Sequence, residues 1–243
     1  MLPKNLINNI RENFLLKNYE KVIHNCELLI KDYPDHGILY NFAGVSCQAT
    51  KKFSKSINFL KKAIEIEPNN ISYMNNLANS YASIRNYTNA EKIYKNALLI
   101  DKNNRVILEN FASFNKRISN YLSAIKLYKK LLNEDNKNPA ISHDLAECYQ
   151  AVGNFEEANK ILDENTEKYP NFIKSHYTKS ITTNYLENGQ HLDKMLEVSK
   201  INNIKIEDKI LINYAIGKAY EDKKDFKNAF KYLEIANNFQ YET

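Results

Sequence analysis

The chain reads as an all-α protein, a right-handed α-solenoid of stacked helix–turn–helix hairpins, on three observations. Tyr19, Phe53, Tyr87, Tyr121 and Phe155 recur every 34 residues, and a fixed period of that size marks a repeated helical hairpin. Small residues hold two further phases of the same period: Gly44, Ala78, Ala112 and Ala146, then Ala90, Ala124 and Ala158. Between them apolar side chains follow helical spacing, and Pro34, Pro68 and Pro170 fall where units close, because proline disfavours helix at the residue before it.

Taken in order, the units span residues 3–36, 37–70, 71–104, 105–138 and 139–172. The first is weak at its front (Leu6, Asn9, Ile10) and regular behind, with Tyr19, Val22, Cys26 and Leu29. The second places Tyr40, Ala43, Gly44 and Cys47 on one helix and Phe53, Ser56, Leu60 and Ala63 on the next. The third, fourth and fifth repeat this with Met74, Leu77, Tyr81 and Tyr94, with Leu108, Phe111, Tyr128 and Leu131, and with Leu145, Tyr149 and Leu162. Short amphipathic helices cannot bury such stripes alone, so neighbouring units must stack. The small residues predict close helix approach, and the periodic aromatic is expected to wedge, buried, between units.

After Pro170 the register slips. Residues 173–209 predict a degenerate hairpin: a helix from Phe172 to Leu186, a break at Asn188-Gly189, and a shorter helix from His191 to about Ser199. A final unit, residues 210–243, restores the pattern with Tyr214, Gly217, Tyr220, Phe226, Ala229, Leu233 and Ala236. Phe155 to Phe226 is 71 residues, one interval of 34 and one of 37. The three extra residues are expected in the connection from Lys200 to Asp208.

These residues resemble the tetratricopeptide repeat, whose pattern is a bulky residue, Leu-Gly or Leu-Ala, Tyr, then Ala, Phe or Tyr, Ala and Pro. The resemblance covers residues 3–172 tightly and implies a concave groove lined by the first helix of each unit. Residues 212–238 also resemble the segment joining repeats to the catalytic domain in bacterial repeat-containing sulfotransferases. The shared positions are Ala215, Gly217, Lys218, Ala219, Glu221, Asp222, Ala229, Phe230, Ala236 and Asn237. That likeness implies an alternative, the acceptor-recognising arm of a sulfotransferase whose catalytic domain is absent from this chain. No Pro-Arg-Ser-Gly-Thr-Thr-like loop occurs within the 243 residues, and none of the five glycines sits in a phosphate-cradling context.

Composition narrows the chemistry. The mean hydropathy is −0.58, and no apolar run approaches the ~20 residues of a membrane span. The start shows no signal-peptide stretch, so the expectation is a cytoplasmic protein off the membrane. The net charge of +5 is scattered, whereas nucleic-acid binding needs basic residues gathered on one face. Three cysteines, Cys26, Cys47 and Cys148, fit neither a zinc site nor a disulfide frame. The five histidines form no pair at helical spacing, so no metal site or cofactor is expected. No nucleophile–base constellation stands out, which predicts a non-catalytic protein.

The resemblance implies that the groove presents Asn41, Val45 and Gln48 from the second unit and Asn75, Asn76, Asn79 and Ala82 from the third. It implies Glu109, Asn110, Ser113, Lys116 and Arg117 from the fourth, and His143, Asp144, Glu147 and Gln150 from the fifth. Asparagine amides bond a peptide backbone with both donor and acceptor, so Asn76, Asn79 and Asn110 read as a short amide ladder. Asn41 and Val45 stand where a chaperone-tail clamp of this family needs Lys and Asn, which argues against that ligand. Lys116 and Arg117 remain free, at this level, to take a carboxylate. The predicted function is a scaffold binding a peptide or protein segment in its groove. Phe239 and Tyr241 add an expected self-association surface at the C-terminal end.

Overall fold

The computed structural model describes residues 2–134, 138–187, 189–201 and 203–241. Among the described residues there are fourteen α-helices and no strand. The chain forms two compact units, Met1–Phe114 and Asn115–Thr243.

In the first unit, α1 (Lys4–Leu15) to α6 (Tyr87–Ile100) run as α2 (Tyr19–Asp32), α3 (Gly37–Ala49), α4 (Phe53–Ile66) and α5 (Ile71–Ser83). Each helix packs on the next. α7 (Arg105–Arg117) begins in this unit. The periodic aromatics are the first residues of α2, α4 and α6. The small residues act as expected. Ala43, Ala78, Ala90 and Ala112 are fully buried, and a Cβ on Gly44 would lie 2.6 Å from Leu60 Cγ.

The wedge expectation needs correction. Tyr87 is 38% exposed and meets Phe114 edge-on at 6.0 Å. A side chain at the first helical position lies at the rim, so it touches the next unit without entering the core. The buried aromatic is Tyr94, two turns further along α6, 1% exposed and stacked 5.1 Å from Phe111.

The turn between paired helices is itself periodic. Lys17, Lys51, Arg85, Ser119, Gly153 and Lys224 all have φ between 59° and 79°. At each, two backbone bonds close the helix, as in Lys51 N–H to Gln48 O and Lys52 N–H to Cys47 O. This is the Schellman ending, whose left-handed residue ordinarily favours glycine. Asparagines then open the following helices: Asn70, Asn86, Asn138 and Asn154 accept backbone N–H groups at helix starts, which satisfies otherwise orphaned donors.

The second unit holds α8 (Tyr121–Glu134), α9 (Pro139–Ala151), α10 (Phe155–Lys168), α11 (Ile173–Thr182), α12 (Gln190–Ser199), α13 (Ile206–Asp222) and α14 (Phe226–Tyr241). α11 and α12 both pack against α13. Two expectations shift here. α11 ends at Thr182, not Leu186, because Thr183 turns extended and Tyr185 folds inward, fully buried. α13 begins at Ile206 and is 17 residues long against 13 for α3, α5 and α9, so the connection after α12 is shorter than expected and extra residues lengthen α13 instead. Asn188, in the expected break, lies outside the described residues, as do residues 242 and 243 of the C-terminal end.

Candidate functional site

In the first unit the 34-residue period sets equivalent positions on the first helices α3, α5 and α7. Asn76 Nδ2 donates to Asn41 Oδ1 at 2.8 Å, and Asn110 Nδ2 donates to Asn75 Oδ1 at 2.9 Å. Each bond joins one first helix to the next. All four amides are half-buried. Each pair uses one donor and one acceptor, which leaves Asn41 Nδ2, Asn76 Oδ1, Asn75 Nδ2 and Asn110 Oδ1 with hydrogen-bonding capacity. Asn79 stands differently: its Oδ1 accepts the Tyr94 hydroxyl at 2.5 Å, tying it to the core. Gln48 is half-buried on α3.

The second unit gathers charge instead. Lys116 Nζ reaches Asp144 Oδ1 at 2.6 Å and also Glu147 Oε2. Burial pulls the Lys116 pKa down, but bonds to the two carboxylates outweigh it and leave it raised. Burial likewise pushes Asp144 up, and His143 with Lys116 outweighs it, so its carboxyl titrates below the usual range. His143 Nε2 lies 2.9 Å from Thr178 Oγ1, and Gln150 Nε2 donates to Thr178 O at 3.4 Å. Around them opens a cleft of about 450 Å³ whose far wall comes from α11 and its approach: Phe172, Tyr177, Thr178 and Ile181.

Lys116, His143, Asp144 and Gln150 thus come together, as the sequence anticipates. Arg117 is exposed and takes no part in the cleft. Lys116 is not a free cation, because the chain supplies its own carboxylates. Among the described residues, His143, Asp144 and Glu147 are the one group with metal-ligand spacing, and the Lys116 ammonium already bridges its two carboxylates. Sequence reasoning missed the α11 wall, since the broken register gave Phe172 and Thr178 no groove phase. It also missed the contact between His176 and His191, which are 15 residues apart in sequence.

Models described as tetratricopeptide repeat match residues 119–178, 71–100, 38–70 and 211–236, together more than half of the chain. The chain belongs to the tetratricopeptide repeat (TPR) family. Residues 212–236 of the segment carrying the sulfotransferase likeness fall within a matched TPR stretch. Solved TPR structures share the fold. The C-terminal part of a TPR repeat-containing protein from Cytophaga hutchinsonii aligns at TM-score 0.75 and 14% identity, covering 97% of this chain and 96% of that one. A TPR protein from Parabacteroides merdae aligns at TM-score 0.68 and 14% identity, covering 97% and 92%. Pseudomonas aeruginosa PilF aligns at TM-score 0.59 and 17% identity, covering 85% and 97%. At these identities the likeness shows the fold. No curated protein sequence matches the chain. No helix among the described residues is long and apolar enough to cross a membrane.

Proposed function

We propose that this TPR chain is a non-catalytic, cytoplasmic scaffold that binds an extended peptide or protein segment along its concave groove. The observation that carries this is the row of paired amides on α3, α5 and α7. Asn41, Asn75, Asn76 and Asn110 are half-buried and each keep donor or acceptor capacity after pairing with each other. An extended backbone offers alternating N–H and C=O groups, which such a row can meet without reading side chains. The pairing also fixes the amides, so little freedom is lost when a ligand arrives.

Two further observations support the proposal. The thiols are unpaired and buried, and burial raises Cys26 to about 12 and Cys47 and Cys148 to about 11, so none is a ready nucleophile. Lys52 and Lys55 are paired with Glu20 and Glu27, which leaves less basic surface for nucleic acid.

The test uses a peptide selected on the full chain from a random 12-residue display library. Asn76→Ala with Asn110→Ala should weaken its binding at least tenfold by calorimetry, with the thermal unfolding transition kept. Equal affinity for both proteins would refute the amide row. A secondary reading is self-association at the C-terminal end, favoured by Tyr241, 89% exposed, and by Phe226 and Phe230 beside one another on α14. Light scattering with Phe226→Ser and Phe230→Ser checks it, and a monomer in both forms removes it.

A further inference from the structure

α11 and α12 are joined by an unusual chain of polar groups. His176 Nε2 lies 2.9 Å from Pro170 O, His176 Nδ1 lies 3.1 Å from His191 Nε2, and His191 Nδ1 lies 2.6 Å from Tyr185 Oη. The two imidazoles lie nearly parallel, their centroids 5.2 Å apart and their planes 5° apart. All three side chains are at least 98% buried.

The carbonyl at the end of the chain dictates every proton. Pro170 O only accepts, so His176 carries its hydrogen on Nε2 and presents a lone pair at Nδ1. His191 must then donate from Nε2 and accept at Nδ1, and Tyr185 donates to it. In this arrangement each donor has one acceptor only if both rings are neutral. A further proton would put a charge in a site where, among the described residues, no carboxylate is bonded to either ring.

The surroundings do not favour that charge. Lys179 on α11 and Lys194 on α12 both act against a positive ring. Asp163 on α10 is taken by Lys179. On α13, Asp222 is held by Lys218, whose ammonium also sits over the Tyr185 ring at 5.2 Å. From α9, His143 meets α11 at Thr178 and, edge-on, Phe172 at its start.

We propose that His176, His191 and Tyr185 form an acid-sensitive latch. It holds α11 to α12 while both rings are neutral, and it releases them, with the α11 wall of the cleft, when the rings take up protons. The latch does not depend on whether the groove or the cleft binds peptide.

Burial holds both histidines below their ordinary value, His176 from 6.5 to about 4 and His191 further down. The sign follows from linkage. The open form binds protons that the closed form refuses, so closure is strongest above pH 6.5 and weakens as pH falls toward 4. One histidine gives a tenfold increase in opening per pH unit in that window and two give up to about a hundredfold.

The test is hydrogen exchange on the full chain, read as protection factors. Between pH 7.5 and pH 5, protection of α11 and α12 should fall by about 30-fold for one histidine and up to about 1,000-fold for two, while α5 and α6 change less than threefold. His176→Gln with His191→Gln should flatten this dependence. Should that variant not fold, ring ¹⁵N spectra of the unaltered protein decide the matter. Both histidines should appear as neutral Nε2–H tautomers at pH 6. Rings that titrate at their ordinary value, or protection that is flat with pH, would overturn the latch.

Discussion

The hairpin α5–α6 and the pair α11–α12 solve one problem with different chemistry. In α5–α6 the core is apolar and aromatic, and its polar groups are amides, phenols and a hydroxyl: Asn79 takes the Tyr94 hydroxyl, Ser80 meets Ser56 of α4 at 2.8 Å, and Asn75 and Asn76 bond across to neighbouring first helices. No histidine occurs between residues 71 and 100. In α11–α12 the helices are ten residues each, and imidazoles bridge them. With the latch proposed above, α11–α12 depends on proton count, whereas α5–α6 offers no imidazole to take up a proton. What fills the polar positions decides this, not the helical frame.

The comparison can be broken most strongly at the core of the regular hairpin. Tyr94→Ala should cost about 3–5 kcal/mol, the range for removing a buried ring, and Tyr87→Ala only about 1–2 kcal/mol, since it loses an edge contact at the rim. Denaturant melts giving the reverse order would return the periodic aromatic to the core. Next comes close packing. Gly44→Ala forces a methyl against Leu60 at 2.6 Å and should cost about 1–3 kcal/mol, as overpacking does; an unchanged denaturation midpoint would mean that α3 and α4 yield easily.

In the irregular pair, Tyr185→Phe keeps the ring and removes the hydroxyl, leaving His191 Nδ1 without a donor. The expected cost is about 1–3 kcal/mol, the penalty for an unsatisfied buried group. Urea titration at pH 7.5 reads it, and a loss under 0.5 kcal/mol, small beside the ~1 kcal/mol typical of a protein hydrogen bond, would show that the latch carries little strength. The smallest effect lies in the turns. Gly153 has φ of 79°, and a methyl added there would meet nothing within 4 Å, so Gly153→Ala isolates the backbone contribution, about 1 kcal/mol. Lys51→Gly, at φ 60°, should gain up to about 1 kcal/mol, visible as a raised melting temperature.

Much of the frame was legible from the period alone. Tyr19, Phe53, Tyr87, Tyr121, Phe155 and Phe226 each begin a second helix, and Ala78, Ala112 and Ala146 are buried as their phase demanded. The left-handed turn residues were not legible, because five of the six are Lys, Arg or Ser rather than Gly. Tyr87 misled because period marks equivalence, not depth: the first residue of a helix recurs as faithfully as a core residue does. The groove candidates could be named from the resemblance, but not their bonds to each other. Asn76 and Asn41 meet only because two units stack. The histidine chain was invisible because its members lie where the register fails and its order depends on the Pro170 carbonyl.

The amide row is tested most directly by side-chain NH₂ resonances of the ¹⁵N-labelled full chain titrated with the library-selected peptide. Binding along the row predicts that the Nδ2 signals of Asn41, Asn75, Asn76 and Asn110 shift together and saturate at one peptide per chain. Unmoved signals from these four, with perturbations gathered elsewhere, would contradict it.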